Sequence, residues 1–454
     1  MEQAKENKMG TAPMFSLILS MAVPAMFSML VQALYNVVDS IFVSQYDPIN
    51  GLSAVSLAFP VQTMMIAVAV GTGVGLNSLI SRRLGEGHQD QANAAATHGL
   101  LLGIVEWGIF AILGGLFSSS FYQIFSTNAV LIKMAGDYTW VVTVFSIGVF
   151  LELNIEKILQ ATGDMIHPMF FLLTGAVINI VLDPIFIFGY YGLPAMGVTG
   201  AAIATVIGQI SSMILALYVI FFKEHQIKVN LWCFRPQWRI IRDIYIVGIP
   251  SIVMQSIAAF LTAFLNMILI HFSESAVAVL GIYFKLQSFI FMPVFGLNSG
   301  VMPVMGYSYG ARNKKRLMEA LWIGMIIAAV IMAIGTVLFW CIPNHLLSIF
   351  SPSDEMREIG VVALRTIGIC FVPAAGNILF STLFQGVGMG GRSLLVSVLR
   401  QIVVILPVAL WMAQYGVNYV WMSFTIAEVV ALIISMLLCV QLYYTHIQHL
   451  TPIE

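Results

Sequence analysis

Charged side chains are scarce in this sequence. Asp, Glu, Lys and Arg supply 9% of its 454 residues, whereas 59% of the residues are hydrophobic and the mean hydropathy is +0.94. Soluble domains carry about 25% charged residues, so the composition excludes an ordinary soluble protein and predicts a polytopic membrane protein. The formal net charge of −1 rests on so few charges that it indicates no partner, and no feature favours nucleic-acid binding.

Cysteine pairs and catalytic arrangements are also lacking. The four cysteines are scattered, with no pair at metal-binding or redox spacing. An intramembrane enzyme would need an embedded His-Glu-x-x-His motif, a Gly-x-Ser-x-Gly turn with a basic partner, or paired catalytic aspartates in glycine-rich settings. We expect none of these arrangements to form, and we assign no catalytic residue.

Long apolar runs, by contrast, fill most of the chain. About 20 residues at 1.5 Å each cross the roughly 30 Å of a bilayer core, and polar or glycine-rich breaks separate about twelve such runs. The predicted fold class is an all-α polytopic membrane protein with about twelve transmembrane helices in two pseudo-symmetric six-helix lobes. The predicted spans are 15–45, 52–80, 95–120, 134–161, 165–189, 197–222, 244–272, 276–307, 318–342, 357–386, 393–412 and 417–444.

A weak internal repeat supports the division into two lobes. An offset of about 225 residues aligns Pro24 with Pro250 and Gly99 with Gly324. Because six helices separate equivalent positions, the two halves enter the membrane in the same direction, with the pseudo-symmetry axis along the membrane normal. The predicted domains are an N-terminal lobe at 1–222, a cytoplasmic linker at 223–243 and a C-terminal lobe at 244–454.

The loop charges predict the orientation. Most Lys and Arg residues fall in alternate loops, against Lys133 and Arg357 on the other side, so the positive-inside rule places both termini in the cytoplasm. The first apolar run lacks a small-residue cleavage site, which predicts a retained membrane helix rather than a signal peptide. The linker carries Trp232 and Trp238 among spaced cations, which suits either an amphipathic segment on the inner membrane surface or a plain solvated linker.

Two carboxylates stand inside apolar helices of the first half only. Tyr35 precedes Asp39 by one helical turn, and Asn179 precedes Asp183 in the same way, so each pair shares a helix face. Both Asp residues lie about six or seven residues before the outer ends of their helices, and Thr205 reaches a similar depth on the next helix. A buried carboxylate costs about 2.5–3.5 kcal/mol on the most lenient scale, which favours a functional role. These five residues are predicted to converge on one site.

Two adjacent carboxylates in a low dielectric cannot both stay charged without a cation. The pair should therefore bind a proton or share a metal ion, and the oxygen atoms of Asp39, Asn179, Asp183 and Thr205 suit Na⁺ as well as H⁺. The residues alone leave this choice open. They also leave open that each is an isolated polar residue, and that Asp183 only satisfies backbone groups freed by Pro184.

A substrate cavity is the second predicted site. Glu152 could line an inner cavity and attract a cationic substrate, or it could pair with Lys157 or another buried cation. Methionine-rich surfaces adapt to varied apolar ligands. The further candidates for cavity contacts are Gln209, Met26, Met64, Met254 and Met292. The embedded charges of the second half could form structural pairs, and no role is assigned to Lys285, Arg365 or Glu428.

These features together resemble the multidrug and toxic compound extrusion (MATE) family over essentially the whole chain. The resemblance rests on the two six-helix halves and on several short motifs. These motifs are Tyr35 to Asp39, Gly71-Thr72-Gly73, Arg83-Leu84-Gly85, Gln160-Ala161-Thr162-Gly163-Asp164, Asn179 to Pro184 and Gly197 to Thr205. One branch of the family uses acidic residues in helices 7 and 10, and the corresponding segments of this chain contain no carboxylate. The chain is therefore identified as a member of the bacterial first-lobe branch, similar to exporters of the MepA type.

The resemblance implies a secondary antiporter that exports organic, mainly cationic amphipathic compounds in exchange for inward H⁺ or Na⁺. It implies alternating access, no cofactor beyond the coupling ion, membrane lipid and small organic cations as partners, a monomer, and the bacterial inner membrane. The coupling site of that branch corresponds to Tyr35, Asp39, Asn179, Asp183 and Thr205. The loop before Thr205 is a few residues longer than in the family's pattern, so Thr205 matches less closely than the two Asp residues do. The alternatives are a lipid-linked precursor flippase of the same superfamily, which would need cationic residues in its cavity, and a channel.

Overall fold

The computed structural model describes residues 7–46, 50–124, 128–232, 234–350 and 352–451, and these residues form helices with no strand among them. The helices of the first half are α1 (Lys8–Thr11), α2 (Met14–Tyr46), α3 (Asn50–Gly85), α4 (Gln89–Tyr122), α5 (Ala129–Val144), α6 (Ile147–Ala161), α7 (Ile166–Phe188) and α8 (Gly197–Phe222). A short 3₁₀ turn at Tyr190–Gly192 follows α7.

The helices of the second half continue the same alternation of long helices and short breaks. They are α9 (Trp238–Leu269), α10 (Glu274–Gly310), α11 (Lys314–Cys341), α12 (Pro343–Ser348), α13 (Asp354–Gly368), α14 (Phe371–Gly386), α15 (Gly390–Val398), α16 (Leu406–Ala413), α17 (Val417–Val420) and α18 (Met422–Leu442). Two π-helical segments, Leu399–Ile405 and Tyr443–Ile447, join or extend the last of these helices.

The number of membrane spans agrees with the prediction. Among the described residues, 10 helices are long and apolar enough to cross a membrane, and the total reaches 12 if each of two bent pairs is one span. The bent pairs are α5 with α6, at 46°, and α13 with α14, at 47°. The predicted spans 134–161 and 357–386 treat each pair as one uninterrupted helix.

The internal repeat is visible in the backbone as well. After α6 the amide of Asp164 donates to the carbonyl of Leu159 at 3.1 Å, and after α14 the amide of Met389 donates to the carbonyl of Phe384 at 2.7 Å. The glycine before each of these two residues has a positive φ, 91° in the first half and 86° in the second. A left-handed glycine followed by this hydrogen bond is a common way to end a helix. The same helix end therefore recurs at the predicted offset.

The region between the halves is shorter than predicted, because α9 begins at Trp238 instead of at residue 244. The described residues of 223–237 contain no helix, and the amide of Lys228 donates to Asn93 Oδ1 of α4 at 2.8 Å. Trp232 is 99% exposed. The described part of this segment is therefore a strap that bonds from its backbone to side chains of α4.

The described chain packs into two compact units. We call Phe27–Arg83 with His88–Ile252 the first unit, and the described residues up to Met26, with Leu84–Gly87 and Val253 onwards, the second unit. The unit boundaries fall inside α2 and α9, so they do not coincide with the predicted lobe boundaries at 222 and 244. The division into lobes stays a prediction.

One of the enzyme motifs considered above, the Gly-x-Ser-x-Gly pattern, does occur in the sequence. Residues 306–310 spell Gly-Tyr-Ser-Tyr-Gly and so match the Gly-x-Ser-x-Gly pattern. They lie inside the continuous helix α10, and Ser308 is 1% exposed. A nucleophilic serine of this type needs a sharp strand-to-helix turn that presents its hydroxyl group. The pattern is therefore present, but the turn that would make it reactive is not.

Candidate ion site in the first unit

Close packing of α7 against α8 positions the first part of the site. A β-carbon added to Gly208 would lie 2.7 Å from the carbonyl oxygen of Gly175, so the two backbones touch where both residues are glycine. Small residues allow this approach of membrane helices. Asn179 lies one turn beyond Gly175, and Thr205 lies nearly one turn before Gly208. Because α7 and α8 are antiparallel neighbours, this contact brings Asn179 and Thr205 face to face.

The Asn179 amide joins two of the predicted site residues. Its Nδ2 donates to Asp183 Oδ1 at 3.2 Å and to Thr205 Oγ1 at 3.3 Å. Asp183 is fully buried, with 0% exposure. The interpretation that Asp183 only serves the backbone near Pro184 does not account for these side-chain contacts.

The second carboxyl group comes from α2. The carboxyl groups of Asp39 and Asp183 lie close enough to interact directly, and Tyr35 lies close enough to both to interact with them electrostatically. Two buried carboxyl groups in such contact favour a proton or another cation between them. The structure thus brings together all five residues that the sequence predicts for this site.

Two further residues belong to the site and were missed by sequence reasoning. Tyr138 on α5 interacts electrostatically with Asp39, Tyr35 and Asp183, and its hydroxyl group accepts a hydrogen bond from Gln62 Nε2 of α3 at 3.0 Å. Tyr and Gln are tolerated in membrane helices for many reasons. Their position in apolar runs was the only available signal, and it was too weak to select them.

The site contains more hydrogen-bond acceptors than donors. Asp39 Oδ1, Asn179 Oδ1 and Asp183 Oδ2 are buried, and no described residue offers them a hydrogen bond. Buried polar atoms normally have partners, so three orphan oxygen atoms in one place point to a ligand that supplies positive charge. A proton or a cation with oxygen ligands fits this set of atoms.

Two residues of the first unit, Glu152 and Gln209, were predicted to line a substrate cavity. The ammonium group of Lys157 donates to Glu156 Oε1 at 2.8 Å and to Gln160 Oε1 at 2.9 Å, which makes Glu156 its direct partner. Glu152 lies near the charges of both Glu156 and Lys157. The Oε1 atom of Gln209, one turn after the Thr205 position on α8, is buried and lacks a partner among the described residues.

The four predicted methionines belong to different units. Met64 belongs to the first unit, where it is 50% exposed, whereas Met26, Met254 and Met292 belong to the second unit. The backbone of Met26 packs against Gly296 in the second unit, where an added β-carbon would lie 2.5 Å from the Met26 Cα atom. Substrate contact by these methionines stays a prediction.

The embedded carboxylate of the second unit is neutralised by a residue that the sequence analysis did not select. Arg400, in the π-helical segment, donates to Glu428 Oε1 at 2.7 Å, and Asn377 donates to Glu428 Oε2 at 2.7 Å. The ammonium group of Lys285 lies 5.8 Å from the centre of the Phe350 ring, and Arg365 is exposed. The expectation of a structural pair is met for Glu428, through Arg400.

Comparison with known proteins supports the internal repeat. The profile of the MatE family matches residues 24–185 and 250–411. The two matched segments are equal in length and begin at Pro24 and Pro250, the pair that the internal repeat aligns. The Multidrug export protein MepA of Staphylococcus aureus (strain MRSA252) is 26% identical over 436 residues, which is 94% of each chain.

Two other similar proteins differ in what their names say they carry. An FAD transporter of Shewanella oneidensis is 25% identical over 402 residues, which is 88% of each chain. A multidrug resistance transporter of the MATE family, solved in an outward-facing conformation, is 29% identical and superposes with a TM-score of 0.91. That alignment covers 97% of this chain and 98% of the solved one.

Proposed function

From the premise that this chain belongs to the MatE family of multidrug transporters, we propose that it exports organic, mainly cationic amphipathic compounds in antiport with H⁺ or Na⁺. It is a multi-pass membrane transporter, and we place it in the bacterial inner membrane, as a monomer with both termini in the cytoplasm. The charge distribution of the loops supports this orientation.

The observation that carries the proposal is the contrast between the embedded carboxyl groups of the two units. In the second unit both oxygen atoms of Glu428 are bonded, one of them to the guanidinium group of Arg400. In the first unit the carboxyl groups of Asp39 and Asp183 lie close enough to interact directly, and each keeps a buried oxygen atom without a donor among the described residues. Buried carboxyl groups without a fixed cation need a mobile one.

The coupling follows from this requirement. When a proton or Na⁺ occupies the site, it removes the repulsion between Asp39 and Asp183 and lets α2 pack close to α7. When the ion leaves, the two ionised groups repel each other, and α2 shifts relative to α7. An ion that binds one arrangement more tightly moves the equilibrium toward it, and the same free energy changes the affinity for substrate. Alternating access of this kind would exchange ion for substrate.

The test is efflux of ethidium from proteoliposomes that contain the purified protein, with H⁺ and Na⁺ gradients imposed separately. We expect one gradient to drive efflux, and we expect Asp39→Asn and Asp183→Asn to reduce it by at least about tenfold, because a neutral amide cannot bind and release the ion. Asp137→Asn is the matched control, since Asp137 is an exposed residue of α5 in the same unit. Full activity of both variants would show that the carboxyl groups are structural.

A second cargo class is tested in the same liposomes. The similarity to an FAD transporter raises an anionic dinucleotide as a candidate substrate. An anionic cargo needs cationic residues in its path, and in the first unit the embedded Lys157 is already paired with Glu156. We therefore expect ethidium and not FAD to move. Transport of FAD alone would favour the anionic class, to which the lipid-linked precursor flippase also belongs.

A further inference from the structure

One more embedded carboxyl group of the first unit, that of Glu106, lies in a separate cluster. Glu106 stands halfway along α4 and is 5% exposed. Its Oε1 atom accepts hydrogen bonds from Thr72 Oγ1 of α3, at 2.5 Å, and from the Tyr245 hydroxyl group of α9, at 2.9 Å. We call these three residues the Glu106 cluster. It shares no residue with the site around Asp39 and Asp183.

The other oxygen atom of Glu106 has no partner. Glu106 Oε2 is buried, and none of the described residues donates a hydrogen bond to it. The titratable group that faces Glu106 is the Tyr245 phenol, and the third member of the cluster is the neutral Thr72. Lys157, which packs against α3 one residue along from Thr72, at Gly73, directs its ammonium group to Glu156 and Gln160.

Two opposing effects therefore act on the charge of Glu106. Burial halfway along a membrane helix, without a fixed cation, disfavours the ionised form. Two hydroxyl donors on one oxygen atom favour it, since hydrogen bonds to a charged acceptor are stronger than those to a neutral one. A carboxyl group held between such effects is suited to gain and lose a proton, whereas Glu428 has a fixed cationic partner in Arg400.

The cluster is also built into a close helix contact. A β-carbon on Gly71 would lie 3.0 Å from the carbonyl oxygen of Gly248, and one on Gly75 would meet the Ile244 carbonyl group, so α3 and the first turns of α9 touch backbone to backbone. This contact holds Tyr245 against α3 and α4. The hydrogen bond from Tyr245 thus reports on the packing of the part of α9 that belongs to the first unit.

We propose that Glu106 is a proton-binding site separate from the Asp39 and Asp183 site, and that its protonation is linked to the hydrogen bond that Tyr245 makes from α9. A proton taken from water forms an O–H bond at Oε2 and brings the group from charge −1 to 0. Its release returns the proton to water and strengthens the bonds from Thr72 and Tyr245 to Oε1. This inference goes beyond the proposed antiport, because it assigns a proton to residues outside the Asp39 and Asp183 site.

The test reads the proton directly and needs no transport. Infrared difference spectra of the purified protein in lipid are recorded between acid and alkaline pH, in a background that carries Asp39→Asn and Asp183→Asn. We expect a carboxylic-acid C=O band that disappears as the pH rises and that is missing in Glu106→Gln. A band that is identical with and without Glu106 would overturn the proposal, and so would a Glu106 band that does not change with pH.

A second pair of variants keeps the test valid if Glu106→Gln is poorly folded. Removing one hydroxyl donor takes away a hydrogen bond to the ionised form, so at one fixed pH Tyr245→Phe should increase the ratio of protonated to ionised Glu106 about tenfold. Tyr122→Phe is the matched control, since Tyr122 is a buried tyrosine of α4 that bonds Thr139. Equal spectra for the two tyrosine variants would show that Tyr245 is not linked to the proton.

Discussion

Replacing Asn179 with alanine should change the ion affinity of the Asp39 and Asp183 site, and the sign of the change should identify the coupling ion. The Asn179 amide nitrogen donates to Asp183 and Thr205, while its own Oδ1 atom is buried without a partner among the described residues. The same side chain therefore stabilises an ionised Asp183 and offers an oxygen ligand to a metal cation. Alanine removes both functions.

Asn179→Ala should change the ion affinity in opposite directions for H⁺ and for Na⁺, and by a similar factor. A hydrogen bond to a charged group contributes about 1.5–3 kcal/mol, and about 1.4 kcal/mol is a factor of ten. The bond to Asp183 is 3.2 Å long, so the lower end of that range applies. If H⁺ is the coupling ion, the site of the Asn179→Ala variant should bind H⁺ about tenfold more tightly, so an about tenfold lower H⁺ concentration should give half-maximal efflux. If Na⁺ is the coupling ion, the lost ligand should raise the Na⁺ concentration for half-maximal efflux by about tenfold.

The assay is ethidium efflux from proteoliposomes, measured against external H⁺ at fixed Na⁺ and against external Na⁺ at fixed pH. Asn154→Ala is the matched control, because Asn154 is a fully buried asparagine of the same unit that donates to the carbonyl group of Gly99 at 2.9 Å. A half-maximal concentration that stays within about twofold of the wild type for both ions would refute the assignment of Asn179 to the ion site.

Two further predictions concern stability and the strap at residues 223–237. Arg400→Leu should lower the free energy of unfolding by about 3–5 kcal/mol, because it leaves the Glu428 carboxylate buried without its cation. The double variant Arg400→Leu with Glu428→Leu should recover most of this loss, as measured by thermal unfolding. Equal losses in the single and the double variant would contradict this reasoning. Burial lowers the pKa of His225 below 6.5, so docking of the strap should be complete above about pH 6.5 and weaken as the pH falls through the lower folded value. At each pH the rate of trypsin cleavage at Lys228 is divided by the rate in His225→Phe under the same conditions, which removes the pH dependence of trypsin itself. This ratio should rise at acid pH, and a ratio independent of pH would show that His225 does not hold the strap.

Much of the fold could be predicted from the sequence, because a membrane helix needs one uninterrupted apolar run and little else. The predicted spans agree with the helices, apart from ends that extend further, such as α9 at Trp238. The bends between α5 and α6 and between α13 and α14 could not be predicted. The first bend has no proline near its break, so its apolar run carries no sign of it. Pro373 stands just after the second break, where it removes a backbone donor to the Ile369 carbonyl group, but a proline within an apolar run does not by itself fix the angle of a bend.

That Tyr35, Asp39, Asn179, Asp183 and Thr205 lie together could be predicted because their spacing obeys simple geometry. One helical turn separates Tyr35 from Asp39 and Asn179 from Asp183, and depth can be counted from the helix ends. Tyr138 could not be found in this way, since a tyrosine in a membrane helix carries no charge that requires a partner. Contacts between helices that are distant in sequence decide its place.

Glu106 was missed for a different reason, because the rule that selects Asp39 also selects it. It is a carboxylate in an apolar run, and the repeat places the apolar Ile331 at the equivalent position of the second half. Applied evenly, the search for acids that break the repeat would have found Glu106 along with Asp39 and Asp183.

Five embedded carboxyl groups, those of Glu156, Glu428, Asp39, Asp183 and Glu106, then divide by whether a fixed cation lies beside them. Glu156 is paired with Lys157, and Glu428 with Arg400. No such cation reaches Asp39, Asp183 or Glu106 among the described residues, and each of the three keeps a buried oxygen atom without a donor. A fixed pair has the same charge in every conformation, whereas a group that relies on a mobile ion changes its charge when its surroundings change. Only groups of the second kind can link an ion gradient to helix movement, and all three lie in the first unit.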